Sequence, residues 1–355
     1  MALSTMESPA QRIGRIKGEI LTHAVPREVL GLIGETKPMP KNSGETITYR
    51  RWLPMNATSA SPNTFFANGT GDRGNALANS YLSSEGITPN AETLVPQDIS
   101  VSLNEYTVLF GYTKRTADLY EDDVPAAMKM QVGERISLVR ELVRFGQIKG
   151  CTNKYYGGTG TTRATVNGKL TLKLIRKIVK GLDIQHADKV TEILAPSSKF
   201  GTSPVEPSFM VFIHTDLKPD VRDLPGFVPV AKYGSMKTIS PYEFGTVEEF
   251  RFIASPELVS VQDGGAAVGS TGLSSTTGTN IDVYQVVVAG RNAWGDVALR
   301  GTKSLDVHDV PPSKLDKNDP TGQRGYIGAS TYFNCVLLNQ FHMAVAEVGA
   351  SVLTD

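Results

Sequence analysis

Residues 124–149 read VPAAMKMQVGERISLVRELVRFGQIK, and their apolar positions follow a helical period. The recurring apolar residues are Met128, Val132, Ile136, Val139, Leu142 or Val143, and Ile148. A spacing of three or four residues places these side chains on one face of a helix. The acidic residues 121–123 supply an N-cap, Pro125 suits the first turn, and Gly150 ends the run. We therefore predict one helix of about 39 Å, well above the average length.

Two stretches before this helix predict a long hairpin. Residues 45–53 (ETITYRRWL) alternate in polarity as a strand does, with Ile47 and Tyr49 on one side. Residues 98–113 (DISVSLNEYTVLFGYT) form the returning strand, and a shift of phase at Asn104 indicates a bulge. The residues between them are mostly small, polar or glycine. Because an isolated hairpin is marginally stable in water, we expect it to lie on another surface.

The remainder of the chain mixes strands and helices in no repeating order. We predict a helix that begins after Thr171, a short helix at 217–224 that follows His214, and a flexible surface loop at 264–280. The predicted strands are 209–213, 250–254 and 283–288, and the apolar run 333–345 is predicted as either a strand or a helix. This order of elements indicates the α+β class.

Composition excludes several classes of protein. The chain has 355 residues, 36 basic and 36 acidic, and 40% hydrophobic residues, which are values of a globular protein. No run of about 18 apolar residues predicts a membrane span, and residues 1–20 lack the apolar core of a secretory signal. The two cysteines, Cys151 and Cys335, indicate a reducing compartment without a disulfide framework. The neutral charge argues against a dedicated nucleic-acid binder.

The neutral sum hides blocks of charge along the sequence. Residues 1–53 carry a net charge of +3, residues 54–123 carry −6, residues 124–200 carry +9, and residues 201–355 carry −6. Two interpretations stand: chance blocks on a solvated surface, or complementary surfaces that meet within a chain or between copies. Complementarity of this kind sets register and association rate more than affinity.

No catalytic constellation is apparent in the sequence. Residues 69–74 match G-x-G-x-x-G but lack the strand before and the helix after that a nucleotide site requires. No pair among the five histidines has metal-ligand spacing, and His214 is better explained as a structural histidine than as a catalytic one. The helix cap already explains acidic residues 121–123 better than a cation site does. Cys151 and Cys335 are predicted to fill the core.

At this point the chain resembles tailed-phage major capsid proteins of the Hong Kong 97-like fold, with the N4-type coat family as the nearest branch. The most specific match is residues 322–328 (GQRGYIG), then Tyr332 and the apolar run 333–345. The second and third matches are VFIH at 211–214 before a short helix, and residues 245–256 (GTVEEFRFIASP). The order of elements also agrees across nearly the whole chain.

The resemblance implies a division of the chain into functional parts. Residues 1–44 would be the N-terminal arm and 45–113 the extended loop that reaches over a neighbouring subunit. Residues 114–164 would form the peripheral domain with its spine helix, 165–300 mainly the axial domain, and 301–355 a segment completing the peripheral sheet. The expected subunit-interface residues are Trp52, Phe65, Phe66, Arg73, Arg135, Arg140, Arg144 and Lys149. In this arrangement the acidic extended loop would lie over the basic spine region of the next copy.

The resemblance also implies partners. The chain would associate with its own copies as hexamers and pentamers, with a separate scaffolding protein and a portal protein, and with packaged DNA without sequence specificity; a decoration protein is left open. No enzyme activity, cofactor, metal or membrane is expected, and the location would be the virion capsid, assembled in the host bacterial cytoplasm. The alternatives are an encapsulin-like nanocompartment shell, a phage tail or sheath subunit, and, least favoured, an enzyme with a glycine-loop site.

Overall fold

The computed structural model describes residues 25–36, 39, 44–54, 78–79, 81–86, 88, 93–119, 123–190, 207–233, 238–299, 306–315 and 319–353. The strands are β1 (Glu35–Thr36), β2 (Thr46–Leu53), β3 (Val95–Ser102), β4 (Asn104–Thr113), β5 (Lys154–Tyr156), β6 (Phe209–Ile213), β7 (Val228–Pro229), β8 (Glu243–Val247), β9 (Phe250–Ala254), β10 (Tyr284–Ala289), β11 (Trp294–Ala298), β12 (Asp306–Val310), β13 (Arg324–Leu337) and β14 (Met343–Val348). The α-helices are α1 (Lys114–Leu119), α2 (Val124–Ile148), α3 (Leu172–Ile184) and α4 (Lys218–Arg222). Short 3-10 turns occupy Leu30–Leu32, Arg163–Thr165, Thr215–Leu217, Val230–Lys232 and Gln340–His342.

One sheet, here called the first sheet, is built around the long strand β13. Strand β4 pairs antiparallel with β13 along one side, from Arg324 opposite Thr113 to Phe333 opposite Asn104. Strands β12 and β11 share the other side of β13, and β1 extends the sheet by pairing in parallel with β11. Strand β13 is buried on both faces over most of its length, as expected for the central strand of a sheet.

The second sheet has the strand order β5-β14-β10-β6-β9-β8-β7. Its central strands β6, β9, β10 and β14 are buried at every position. A strand buried on both faces reads as a continuous apolar run, which is how 209–213 and 250–254 were predicted. These strand predictions are confirmed, as is 283–288 apart from its first residue.

Helix α2 confirms the prediction made from residues 124–149. The Asp123 side chain caps the helix by accepting a hydrogen bond from the Ala126 backbone N–H at 3.1 Å. Val132 and Ile136 are buried against the first sheet, and Phe145 and Ile148 join the core on one face of the second sheet. One helix therefore connects the two sheets, which requires its unusual length.

Helix α3 covers the opposite face of the second sheet. Its N-cap is Thr171, whose hydroxyl accepts from the Leu174 N–H at 3.3 Å. Leu174, Ile175 and Ile178 are buried in the core on that face. The predicted helix and its cap are confirmed.

The predicted hairpin is confirmed only for the pairing of β2 with β3. Strands β2 and β3 pair antiparallel from Thr46 opposite Ser102 to Leu53 opposite Val95. The predicted single strand 98–113 is wrong, because the chain leaves β3 at Leu103 and continues as β4 into the first sheet. The predicted bulge at Asn104 is in fact this change of sheet.

The strands of each sheet come from separated parts of the chain. Strand β11 lies in the first sheet and β5 lies in the second. The C-terminal segment contributes β13 to the first sheet and β14 to the second, so it completes both. The run 333–345 is the end of β13, a 3-10 turn and the start of β14, so the strand alternative is the closer one.

The glycine-rich loop 264–280 is tied down rather than free. Its backbone hydrogen-bonds to Val166, Ile281 and Ala350, and the Leu273 side chain is 6% exposed. The expectation of a flexible loop is therefore wrong for its central part, because Leu273 anchors it to the core. None of the helices in the described residues has the length and apolarity needed to span a membrane.

Candidate subunit-contact surfaces

The outer face of the β2–β3 hairpin is a ladder of paired side chains. Hydroxyls pair at its base, where Thr46 meets Ser102 at 3.1 Å and Thr48 meets Ser100 at 2.9 Å. The next pair, Arg50 and Asp98, is a two-point ion pair with distances of 2.7 and 2.8 Å. Trp52 and Pro96 complete the ladder at the far end. Cross-strand pairs of these kinds stabilise a hairpin that has no third strand.

The inner face of the hairpin packs on the first sheet. Val101 is buried in a cluster with Met39, Val297 and Val336. Asn334 of β13 donates its side-chain N–H to the Ser102 carbonyl at 2.6 Å. The base of the hairpin is therefore fixed to the body of the subunit, as the marginal stability of an isolated hairpin requires.

The far end of the hairpin presents apolar side chains to solvent. Trp52 is 59% exposed, and Leu94 and Val95 are 74% and 47% exposed. Large exposed apolar groups at the end of a projection are typical of a contact surface. Of the interface residues predicted here, Trp52 is on this surface, whereas Phe65, Phe66 and Arg73 lie outside the described residues.

A short segment before β1 is anchored to helix α2 by a buried carboxylate. Oε1 of Glu141 accepts hydrogen bonds from the Val29 and Leu30 N–H groups, each at 3.0 Å. Burial raises the pKa of Glu141, although the two backbone donors and Arg144 act in the opposite direction. This carboxylate ties the segment to a residue more than one hundred positions away.

Arg144 joins the same anchor to the first sheet. Its Nη2 lies 2.8 Å from Oδ2 of Asp296 on β11, and its Nε lies 3.0 Å from the same oxygen. It also pairs with Glu28, and its guanidinium lies 5.0 Å from the Phe333 ring centroid. Burial lowers the pKa of Arg144, but Asp296 and Glu28 outweigh that effect and the net shift is upward.

The position of Arg144 corrects its predicted role. Arg144 was predicted on a subunit contact, but its side chain is 6% exposed and its charge is neutralised within the subunit. A buried, paired guanidinium presents no charge to a neighbour. A charge reversal at this residue would therefore test folding rather than assembly.

The other predicted basic residues of helix α2 are placed differently. Arg135 and Lys149 are exposed. Arg140 is half-buried, with Nη2 3.5 Å from the Thr331 hydroxyl and its guanidinium 5.5 Å from the Phe333 ring. Of the four basic residues predicted at an interface in this region, Arg135 and Lys149 are thus the exposed ones.

Much of the basic block 124–200 is neutralised inside the chain. Besides Arg144, the residues with acidic partners are Lys129 with Asp309, Lys154 and Arg163 with Glu347, Lys169 with Asp220, Arg176 with Glu248, and Lys189 with Glu249. The complementary-surface hypothesis therefore loses most of the charge that motivated it.

Sequence reasoning missed two buried carboxylates of the second sheet that have arginine partners. Arg251 Nη1 lies 3.2 Å from Oε1 of Glu243, and Arg163 donates two hydrogen bonds to Glu347, at 2.6 and 3.0 Å. Glu347 is fully buried. The available signal was a charged residue within an apolar strand, because such residues are almost always paired.

A cleft of about 300 Å³ separates the hairpin from the body. Its lining includes Tyr49, Arg51 and Ile99 from the hairpin and Asn339 and His342 from the body. Arg51 donates to the Gln97 side chain at 2.7 Å, and burial lowers the pKa of both Arg51 and His342. No base–nucleophile pair lines the cleft.

The groups considered for chemistry have structural contacts. Nδ1 of His214 accepts from the Asp216 N–H at 3.2 Å, and its ring centroid lies 5.3 Å from that of Tyr284. Cys151 and Cys335 are buried, and burial raises the pKa of both thiols. Within the described residues, no three His, Cys, Asp or Glu side chains are grouped so that they could hold a metal. The residues 69–74 lie outside the described part.

Comparisons with known proteins bear on the fold. No family model matches the chain. The major capsid protein of Pseudomonas phage KPP21 is 19% identical over 268 residues, covering 70% of this chain and 66% of that protein, just under two thirds of its length. Among solved structures, the capsid of Ralstonia phage GP4 matches with a TM-score of 0.64 at 11% identity and covers 100% of both chains. The cyanophage Pam1 capsid matches with a TM-score of 0.58 at 13% identity, over 99% of this chain and 100% of that one.

The two structural likenesses extend from end to end at very low identity. The chain therefore adopts the Hong Kong 97-like fold of phage capsid proteins, as its sequence predicted. The finer assignment to the N4-type branch remains a prediction.

Proposed function

We propose that this chain is a major capsid protein that self-assembles into the icosahedral shell enclosing the double-stranded DNA genome of a tailed bacteriophage. The observation that carries the proposal is the capsid fold over the full length of the chain. The similarity to the major capsid protein of Pseudomonas phage KPP21 supports the same conclusion. In this function the subunit has a structural role. The contacts between copies are individually modest, and together they stabilise the closed shell.

The geometry of the hairpin supports this function. The hairpin presents Trp52 and Leu94 at its far end, where both side chains are mostly exposed. Assembly would bury such apolar groups and would pair strand edges that are open in a free subunit. We propose that β2–β3 belongs to the extended loop, α2 is the spine helix, and the second sheet forms most of the axial domain.

The partners follow from the function. Copies of the chain would form hexamers and pentamers in the virion capsid, assembled in the host cytoplasm with a separate scaffolding protein and a portal protein. Among the predicted interface residues, Trp52, Arg135 and Lys149 have the exposure that a contact needs. The nanocompartment, tail and enzyme alternatives gain no support from the comparisons.

Electron microscopy of the purified full chain, with light scattering for mass, tests the proposal. We expect closed shells, or rings of five or six copies, alone or on co-expression with the scaffolding protein. Tubes would instead support the tail alternative. A chain that stays monomeric even with a scaffolding protein would contradict the proposal.

Substitution of Trp52 with alanine is expected to weaken assembly without unfolding the subunit. An exposed tryptophan loses no core contact when truncated, whereas a tryptophan at a protein interface is frequently a dominant contact. We expect the concentration needed for assembly to rise by at least about tenfold. Val259→Ala, in a side chain of similar exposure away from the hairpin, serves as control. Equal assembly by both variants would exclude Trp52 from the interface.

Mature particles are expected to contain no covalent ladder of subunits. In some proteins of this fold a lysine on the extended loop forms a bond with an asparagine of a neighbour. Here no lysine occurs between Lys41 and Lys114, so the loop offers no amine. A denaturing gel should show a single band at the subunit mass of 38.3 kDa. Bands at multiples of that mass would refute the expectation.

A further inference from the structure

Helix α3 carries a stripe of lysines on its solvent face. Lys173, Lys177 and Lys180 are all exposed, and at about 100° per residue their side chains fall within an arc of roughly 60°. The stripe extends about 10 Å along the helix. The opposite face of α3 is held in the core by Leu174, Ile178 and neighbouring apolar residues. The helix therefore presents these charges from a rigid support.

These three lysines differ from the basic residues next to them in the fold, which have acidic partners. The neighbouring Lys169 and Arg176 have acidic partners, Asp220 at 3.2 Å and Glu248 at 2.9 Å. Within the described part of the chain, the stripe has no ion pair. The ammonium of Lys177 does lie over a ring, 5.9 Å from the centroid of Tyr155. Among the described residues, no acidic group therefore neutralises the positive charge of the stripe.

The physics of the isolated helix disfavours this arrangement. Lys173 with Lys177, and Lys177 with Lys180, are like-charge pairs at spacings of four and three residues, which destabilise a helix. Lys173 also places a positive charge in the first turn, where the helix dipole favours a negative one. Folding does not explain the stripe, whereas an external polyanion would.

We infer that the lysine stripe of α3 binds the phosphate backbone of double-stranded DNA on the inner surface of the shell. The inference rests on the proposed function and adds to it the surface that contacts the genome. Each strand of duplex DNA carries one charge per about 3.4 Å of axis, so a stripe of this length spans about three phosphates of one strand. No large apolar side chain is exposed between Lys173 and Lys180, which favours a polyanion over a protein partner that needs apolar anchors.

The test compares two triple variants of the full chain that lose the same charge. One is Lys173→Gln, Lys177→Gln and Lys180→Gln; the control is Lys114→Gln, Lys232→Gln and Lys314→Gln, at exposed lysines elsewhere. Binding to a mixed-sequence duplex of about 30 base pairs is measured over a range of salt concentrations. We expect the stripe variant to bind at least about tenfold more weakly at low salt, with a salt slope smaller by about 2 to 3. The control should retain the wild-type slope.

The melting temperature shows that loss of binding is not loss of fold. Since the stripe variant removes repulsion within α3, its melting temperature should equal or exceed that of the wild type. Equal loss of DNA binding in both variants would overturn the inference, because bulk charge would then explain it. A stripe variant that binds DNA normally but fails to assemble would also overturn it, in favour of an acidic surface on another copy.

Imaging of shells separates this inference from the proposed function. Shells with α3 on the inner surface support both. Shells with α3 on the outer surface uphold the capsid function and overturn the DNA contact. If no shell forms under any condition while the stripe variant alone loses DNA binding, the binding surface stands and the capsid function fails.

Discussion

Replacement of Arg144 with methionine is expected to lower the free energy of unfolding by about 3–5 kcal/mol. Methionine keeps most of the side-chain length but removes the charge that Asp296 and Glu141 face. Both carboxylates are nearly inaccessible to solvent, with exposed fractions of 6% and 1%. Removal of one partner of a buried cluster leaves uncompensated charge, which is costlier than the pair is stabilising. The loss should appear in urea or thermal unfolding.

The control for this prediction lies on the same helix. Arg135→Met changes an exposed arginine of α2 and should alter the free energy of unfolding by less than about 0.5 kcal/mol. Arg144→Lys should fall between the two, because an ammonium cannot make the two-point contact with Asp296. If Arg144→Met and Arg135→Met unfold at the same denaturant concentration, the buried cluster does not stabilise the subunit.

Closure of the hairpin at its last pair is expected to reduce shell formation strongly while the subunit stays folded. Leu53 lies directly opposite Val95, so a two-residue Asn-Gly turn can replace residues 54–94 without disturbing the ladder below. The base of the hairpin keeps its contacts with Met39 and Val336. We therefore expect a near wild-type melting temperature and shell yield reduced by at least about tenfold, since multivalent contacts fail together.

A second variant separates reach from chemistry. Replacement of residues 55–92 by a glycine-serine chain of equal length keeps the span of the loop and removes its side chains. If this variant also forms no shells, the side chains of the loop make the contact. If it assembles, length alone suffices. Shells formed by the closed hairpin at wild-type yield would show that this loop is not needed for assembly.

Local structure was predictable because it depends on close neighbours. The capping of α2 by Asp123 and of α3 by Thr171 involves residues three positions apart, and the apolar period marks the buried side of each helix. The strands β6 and β9 were recognisable as short apolar runs. In each case the deciding interactions lie within one or two turns of chain, or in burial that composition reports directly.

The partition of strands between sheets was not predictable. Residues 98–113 show one continuous alternation of polarity apart from a shift of phase. In the structure, however, β3 pairs with β2, whereas β4 pairs with β13, which begins at Arg324. Nothing in the alternation states which strand lies alongside. A local bulge and a change of sheet leave the same mark in the sequence, because both displace the inward face by one residue.

The residues predicted at subunit contacts also include one whose exposure was predictable from the sequence and one whose burial was not. The strand period places Trp52 on the same face as Thr48 and Arg50, opposite the face of Ile47 and Tyr49, and this polar face is the exposed one. The burial of Arg144 did not follow, because the basic residues of α2 share the same helical pattern and differ only in what lies opposite them. Asp296 and Glu28 reach Arg144 from parts of the chain more than one hundred residues away.

The amino-acid order thus determined the helices, their caps, most of the strands, the projecting hairpin and, through its resemblance, the fold. Tertiary structure alone decided which strands share a sheet, that the segment before β1 is anchored on Glu141, and which basic residues are exposed. The reason is the range of the interactions. Periodicity and capping act within a few residues, whereas strand pairing and charge neutralisation depend on groups that only the folded chain brings within about 3 Å.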